Sequence, residues 1–148
     1  NLQESAQELH EKELQFSDSA KEELHVLLEA LRDIMDDAFH CFVDDDVQTA
    51  LVVEPLEETI DQIIEEIRMR HIRRLQTGEC TIQLGFILND LLTNIERVSD
   101  HCSNIAVSIV EEKDGSLERH SYLHDVKEGG SFSADVKRDL KKYRLPQA

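Results

Sequence analysis

Apolar side chains recur at Leu84, Leu88, Leu91, Ile95, Val98, Cys102, Ile105 and Ile109, an alternating four- and three-residue spacing held over more than three heptads. Such a spacing puts all of them on one stripe of an α-helix. The helix is expected from about Cys80 to Glu112, opened after Thr77-Gly78 and closed at Asp114-Gly115, where glycine suits a turn or a C-cap. Leu56, Ile60, Ile63, Ile64, Ile67, His71 and Leu75 repeat the pattern upstream, in a segment beginning near Asp44-Asp45-Asp46, whose carboxylates suit a helix N-terminus. Pro55 falls early in that segment and marks either a kink or the first turn of a helix starting at Glu54. A third stripe, Leu24, Leu28, Leu31, Met35, Ala38 and Phe42, predicts a helix from Ser17 to Phe42 with Ser17 or Asp18 as N-cap. Three long amphipathic helices joined by short links predict an all-α fold, an antiparallel three-helix bundle over residues 17–113.

The flanks carry weaker patterns. Leu2, Ala6, Leu9 and Phe16 either extend the first helix upstream or form a lead-in helix over residues 1–16. Glu128-Gly129-Gly130-Ser131 reads as a flexible break in the 114–148 tail, followed by a short extra helix from Ser133 to Tyr143. Phe16-Ser17-x-x-Ala20-Lys21-x-x-Leu24 and Phe132-Ser133-x-x-Val136-Lys137-x-x-Leu140 share a pattern that is either a recurring N-cap signal or an internal repeat.

Composition agrees with helices: no Trp, two Pro and 5% aromatic residues among 148, with 40% hydrophobic content sufficient for one domain. A net charge of −16 argues against a nucleic-acid partner, because phosphate binding needs Lys and Arg concentrated on one face. Arg68-Met69-Arg70-His71-Ile72-Arg73-Arg74 is a basic island in this acidic chain. It reads either as cations complementing a helix C-terminus or as a contact for anionic headgroups, phosphate or an acidic partner. Cys41, Cys80 and Cys102 are odd in number and lack CxxC spacing, which implies neither a disulfide framework nor a zinc knuckle and fits a reducing cytosol. No run approaches the roughly 18 apolar residues of a spanning helix. The chain opens on Asn1 rather than Met, which suggests excision from a longer protein with a membrane portion upstream.

Two acidic pairs change the picture. Glu57 and Asp61 stand one helical turn apart on the second helix, as do Glu96 and Asp100 on the third. Side chains at i and i+4 share a helix face about 6 Å apart. Asp61 and Glu57 fall about 17 and 21 residues before Gly78, and Glu96 and Asp100 about 18 and 22 after it. A hairpin at Gly78 therefore brings the pairs to one height, roughly 27 to 33 Å along the helices, beside the apolar stripe. Four carboxylates so close repel one another unless cations neutralise them, and oxygen ligation suits Mg, Ca, Mn, iron or zinc. His71 and His101 lack the Glu-x-x-His spacing of a di-iron bundle. Acidic residues are so common here that solvated surface pairs are the competing reading. No nucleophile, glycine-rich phosphate loop or HExxH helix accompanies the carboxylates, so no enzyme is expected.

Glu96-Arg97-x-x-Asp100-His101-x-x-Asn104-Ile105 resembles the E-R-x-x-D-H-x-x-N-I signature of the PhoU family, and Glu57-x-x-x-Asp61 matches that family's first motif. The resemblance covers residues 17 to 113. It implies a three-helix regulatory domain of phosphate uptake in which Glu57, Asp61, Glu96 and Asp100 hold a surface metal cluster, iron or zinc in relatives. Arg97 would be an orienting partner, and His101 and Asn104 supporting groups. Stand-alone members have two bundles, whereas one is read here, and the small residue after the Arg-x pair is Ser99. The chain looks like the cytosolic C-terminal PhoU-like domain of a bacterial sodium-dependent phosphate cotransporter, a likeness extended by Tyr122-Leu123-His124 and Lys142-Tyr143-Arg144-Leu145. By that resemblance it sits at the cytoplasmic face of the membrane, covalently attached to the transporter, with self-association as a further partnership. The alternative is an acidic helical module that binds protein without metal.

Overall fold

A computed structural model describes residues 2–11, 14–114 and 130–147. The described residues form five helices and no strand: α1 (Leu2–Glu11), α2 (Asp18–Asp44), α3 (Val47–Gln76), α4 (Ile82–Asp114) and α5 (Gly130–Lys142). None is long and apolar enough to cross a membrane. The Gly115 cap, the break at Glu128-Gly129 and the Tyr122-Leu123-His124 motif lie outside the described residues.

Capping sets the boundaries. The Ser17 hydroxyl accepts from Ala20 N–H at 3.3 Å and opens α2. Asp45 ends it in the left-handed region (φ 53°), a conformation that Asp tolerates better than most residues. Asp46 then caps α3, accepting from Gln48 N–H at 2.9 Å and Thr49 hydroxyl at 2.6 Å. Those bonds, Thr49 first, hold its carboxyl below the usual range. Because α3 starts at Val47, Pro55 lies inside the helix rather than in its first turn, where it leaves the Leu51 carbonyl without its N–H donor. Gly78 turns the α3/α4 hairpin at φ 76°, and the Thr81 hydroxyl accepts from Leu84 N–H as α4 begins.

The long helices run α2 down, α3 up, α4 down, so α2 and α4 are parallel. Leu27, Ile34, Ile60, Ile64, Ile67, Leu88, Leu92 and Ile95 fill the core. On α3 the expected stripe is the buried one, except that Leu75 is half-buried. On α2 only Leu31 and Ala38 of the expected stripe are buried: the buried face is Ala20, Glu23, Leu27, Ala30, Leu31, Ile34, Ala38 and Cys41, while Leu28, Met35 and Phe42 are exposed. Both faces are apolar at helical spacing. The small residues Ala20, Ala30, Ala38 and Cys41 let neighbouring helices approach on one of them. On α4 the core likewise takes Leu88, Leu92, Ile95, Ser99, Cys102, Ala106 and Ile109, leaving Leu91 and Val98 half-buried and Ile105 exposed.

α1 is a separate helix packed on α4 rather than an extension of α2. α5 lies along α3, burying Phe132, Val136 and Tyr143. Ser133 falls inside α5, so the two Phe-Ser patterns do not both mark N-caps. A clasp fastens the end of α5 to α2: Lys142 Nζ and the Tyr143 hydroxyl donate to Asp33 Oδ2 at 2.9 and 2.6 Å. Lys142, then Tyr143, hold the Asp33 carboxyl low, and burial followed by Asp33 pushes the Tyr143 phenol up to about 12.

Near the hairpin, Gly85 sits against buried His71, and a Cβ at position 85 would stand 2.8 Å from His71 Nε2. Burial, then the Arg74 charge, keeps that imidazole below its ordinary pKa. Alanine normally gains about 1 kcal/mol over glycine inside a helix. Here the contact with an enclosed ring outweighs it, and Gly85→Ala is expected to cost a net ~1–2 kcal/mol by overpacking. Thermal melting checks this; a rise in Tm would mean that the hairpin end yields freely.

Candidate functional site

One face of α3 carries Glu54, Glu57, Asp61 and Arg68, and the facing shoulder of α4 carries Glu96, Ser99, Asp100 and Ser103. Their heights are fixed by contact. The Ser103 hydroxyl donates to Glu54 Oε2 across the two helices. Stepping up one antiparallel helix while stepping down the other keeps Glu57 level with Asp100 and Asp61 level with Glu96. The equal height read from the hairpin is therefore the arrangement found.

The environments of the four carboxylates differ. Glu57 is buried and Asp61 half-buried against α4. Glu96 is half-buried and accepts from Arg68 Nη2 at 2.8 Å. Asp100 is exposed. Beneath them Ser99 is fully buried, and its hydroxyl has no hydrogen-bond partner among the described residues. Among the described residues no three His, Cys, Asp or Glu side chains are close enough to hold one metal ion. In this arrangement the set does not fit a single-ion centre, because the Arg68 guanidinium already supplies positive charge to Glu96. A bound ion would have to displace Arg68 and draw Asp100 in from solvent.

The supporting residues lie elsewhere. Arg97 is exposed. The Asn104 side-chain amide donates to the Asp100 backbone carbonyl at 2.8 Å, a bond within its own helix. His101 and Asn104 line a groove of about 580 Å³ beside Phe42, on the α2 side of α4 and away from the carboxylates.

Two further side chains of this edge, Glu54 and Arg68, were not assigned to it from the sequence. Glu54 lies seven residues before Asp61, two turns along the same face, and that spacing was the available signal. Arg68 stood in the basic island, and its partner is 28 residues away. Arg70 and Arg74 of the island are occupied internally too. Arg74 forms a bidentate pair with buried Glu23 at 2.9 and 2.7 Å, and Arg70 reaches Glu23, Glu66 and the Pro146 carbonyl. Arg73 is exposed. Cys41, Cys80 and Cys102 are free thiols, and burial pushes those of Cys41 and Cys102 up.

Comparison with known proteins bears on the bundle as a whole. The PhoU domain family matches residues 24–109. A curated relative, the phosphate-specific transport system accessory protein PhoU homolog 1 of Thermotoga maritima, is 27% identical over 135 residues, covering 91% of this chain. The chain spans only 56% of that relative's length. No solved structure matches. The family match takes in more than half of the chain and contains both acidic pairs, and on that ground the chain belongs to the PhoU domain family.

Proposed function

We propose that this chain is a regulatory domain of phosphate transport, acting through contact with the transport machinery rather than by catalysis. The observation that carries this reading is the position of the signature segment Glu96 to Asn104. It lies within the family match, and two of its side chains, Glu96 and Ser103, engage α3. The relative's printed name, an accessory protein of a phosphate-specific transport system, points the same way. In its finer form the domain is joined covalently to a sodium-dependent phosphate cotransporter at the cytosolic face of the membrane. The support for that setting is the sequence resemblance.

Within the same reading, metal on Glu57, Asp61, Glu96 and Asp100 is the proposed regulatory ligand. The buried Glu57 carboxylate and a Ser99 hydroxyl without a hydrogen-bond partner among the described residues favour it, and Arg68 opposes it. Iron or zinc bound there would supply positive charge to the edge.

The test compares wild type with Glu57→Gln/Glu96→Gln/Asp100→Asn, each purified without chelator and analysed by mass spectrometry for metal, with folding checked by circular dichroism. Stoichiometric metal in wild type alone is the expected result. Equally empty proteins, even after iron, zinc or manganese is added, would remove the metal and leave a protein-contact surface. In cells carrying the full-length protein, the same variant is expected to lose phosphate-dependent control of uptake. Unchanged control in a folded variant would overturn the regulatory role of this edge.

A further inference from the structure

The α3/α4 turn holds a chemical pair that the acidic edge does not use. Residues 77–81 link the two helices, and the link is pinned on both sides of Cys80. On one side the Glu79 N–H donates to the Arg74 carbonyl at 2.9 Å. On the other the Thr81 hydroxyl and carbonyl accept from the Leu84 and Gly85 N–H groups as α4 begins. Cys80 is thereby held with its sulfur 4.0 Å from His71 Nε2. The cysteine is half-buried, whereas His71 is 7% exposed.

The thiol proton has two acceptors, the Thr81 carbonyl at 3.6 Å and the imidazole. They differ in one respect: a carbonyl holds the proton in place, while an imidazole can remove it. Nε2 has no other hydrogen-bond partner among the described residues. With the ring proton on Nδ1, its lone pair is the base nearest the sulfur. Gly85 is what lets the ring lie there, since a Cβ at that position would stand 2.8 Å from the same nitrogen.

We infer that Cys80 is a reactive thiol with His71 as its base, and that the α3/α4 turn is a site of reversible thiolation by low-molecular-weight disulfides. The thiol passes its proton to His71 Nε2, and Cys80 Sγ attacks one sulfur of the disulfide. The new sulfur–sulfur bond forms as the old one breaks, and the departing thiolate takes the proton back from the imidazolium. Cys80 is oxidised and the departing sulfur reduced, so a mixed disulfide and one small thiol result with no other oxidant. Attack by a second thiol reverses the step.

The surroundings support this chemistry. The step needs a neutral imidazole, and burial, then the Arg74 charge, keep His71 below its ordinary pKa, while Glu23 on α2 acts the other way. Cys80 stands just before the first turn of α4, whose N–H groups favour a thiolate, and exposed Glu79 beside it opposes that weakly. His71 also lines a groove of about 360 Å³ with Arg68, Ile72, Leu75, Ile82 and Phe86. An aromatic disulfide can rest in that apolar groove, one ring away from the sulfur. Cys41 and Cys102 are the contrast: both are free but buried, and burial pushes their thiols up.

The experiment treats the 148-residue chain with dithiodipyridine, an uncharged aromatic disulfide, across a pH series, following the released thione by absorbance and locating the adduct by peptide mass spectrometry. The proteins are wild type, Cys80→Ser, His71→Gln and Gly85→Ala, with urea-unfolded wild type as reference. Cys80 is expected to react first and alone in the native chain, and Cys80→Ser to take up none. An ordinary thiol is only a few per cent thiolate near neutral pH, so a base can gain roughly 30-fold at most. A native rate about 10-fold above that of the same thiol in urea is expected. The wild-type rate should stay nearly level over the interval in which the imidazole is neutral, because His71 removes the proton. In His71→Gln it should instead climb about tenfold per pH unit, as for a thiol ionising into water. Gly85→Ala keeps His71 but crowds Nε2, and should lose part of the plateau.

A native rate no faster than the unfolded one overturns the proposal. So does first modification at Cys41 or Cys102, or a folded His71→Gln with the wild-type pH profile. If His71→Gln does not fold, Gly85→Ala decides in its place, and a wild-type profile there overturns the role of His71.

Discussion

Glu23→Ala is expected to lower the stability of the domain by roughly 3–5 kcal/mol, the usual cost of removing one member of a buried ion pair. Glu23 is 2% exposed, near the start of α2. It meets Arg74 in a two-pronged pair and Arg70 Nη1 at 3.3 Å, and both arginine side chains are largely enclosed. Without the carboxylate, Arg70 keeps Glu66 at 2.8 Å, but Arg74 loses both of its carboxylate contacts. Its Nε is already buried without an acceptor among the described residues. The expense is therefore an isolated guanidinium in a poorly solvated cleft rather than the loss of one attraction. Urea unfolding should give a lower midpoint at unchanged m, and the melting temperature should fall by on the order of 10 °C. Glu23→Leu/Arg74→Leu should recover much of the loss, since replacing both charges by apolar groups leaves no orphan. A single variant within 1 kcal/mol of wild type would show that solvent reaches Arg74 freely.

Ile60→Ala is expected to cost about 2–5 kcal/mol, from lost burial together with the cavity left behind. Ile60 is fully buried among the largest enclosed core side chains and lies one residue before Asp61 and three after Glu57. The damage should therefore reach the acidic edge as well as the global fold, with amide exchange accelerating at Glu57 to Ile64 beyond the general loss. Ile60→Val should cost only ~0.5–1.5 kcal/mol. If alanine were tolerated within that smaller range, the three-helix core would be relaxing into the space.

The long helices were legible because their signals are local. The α4 stripe, the Ser17 cap and the Gly78 turn each need only a few neighbouring residues, and the equal height of the acidic pairs followed from counting away from Gly78. The choice of buried face on α2 was not legible. Leu28-Met35-Phe42 and Leu27-Ile34-Cys41 have the same seven-residue period, and which one turns inward depends on how closely α3 and α4 can approach the small residues Ala30 and Ala38. The larger side chains looked like the core and are partly the surface. The candidate site was half legible for the same reason. Carboxylate spacing along one helix is a sequence property, but that Arg68 reaches Glu96 and Ser103 reaches Glu54 is decided by the pairing of two helices. The basic island read as one unit along the chain, yet its arginines point to different partners.

Arg70 joins Glu66 on its own helix, Glu23 on α2 and the Pro146 carbonyl at 2.6 Å in the segment that follows α5. One planar cation with a fixed fork of donors thus serves three parts of the chain at once. Together with the Asp33 clasp, it ties the C-terminal segment to both α2 and α3. Loss of the Arg70 guanidinium would therefore remove a contact within α3, one between α3 and α2, and one between α3 and the segment after α5 in a single step.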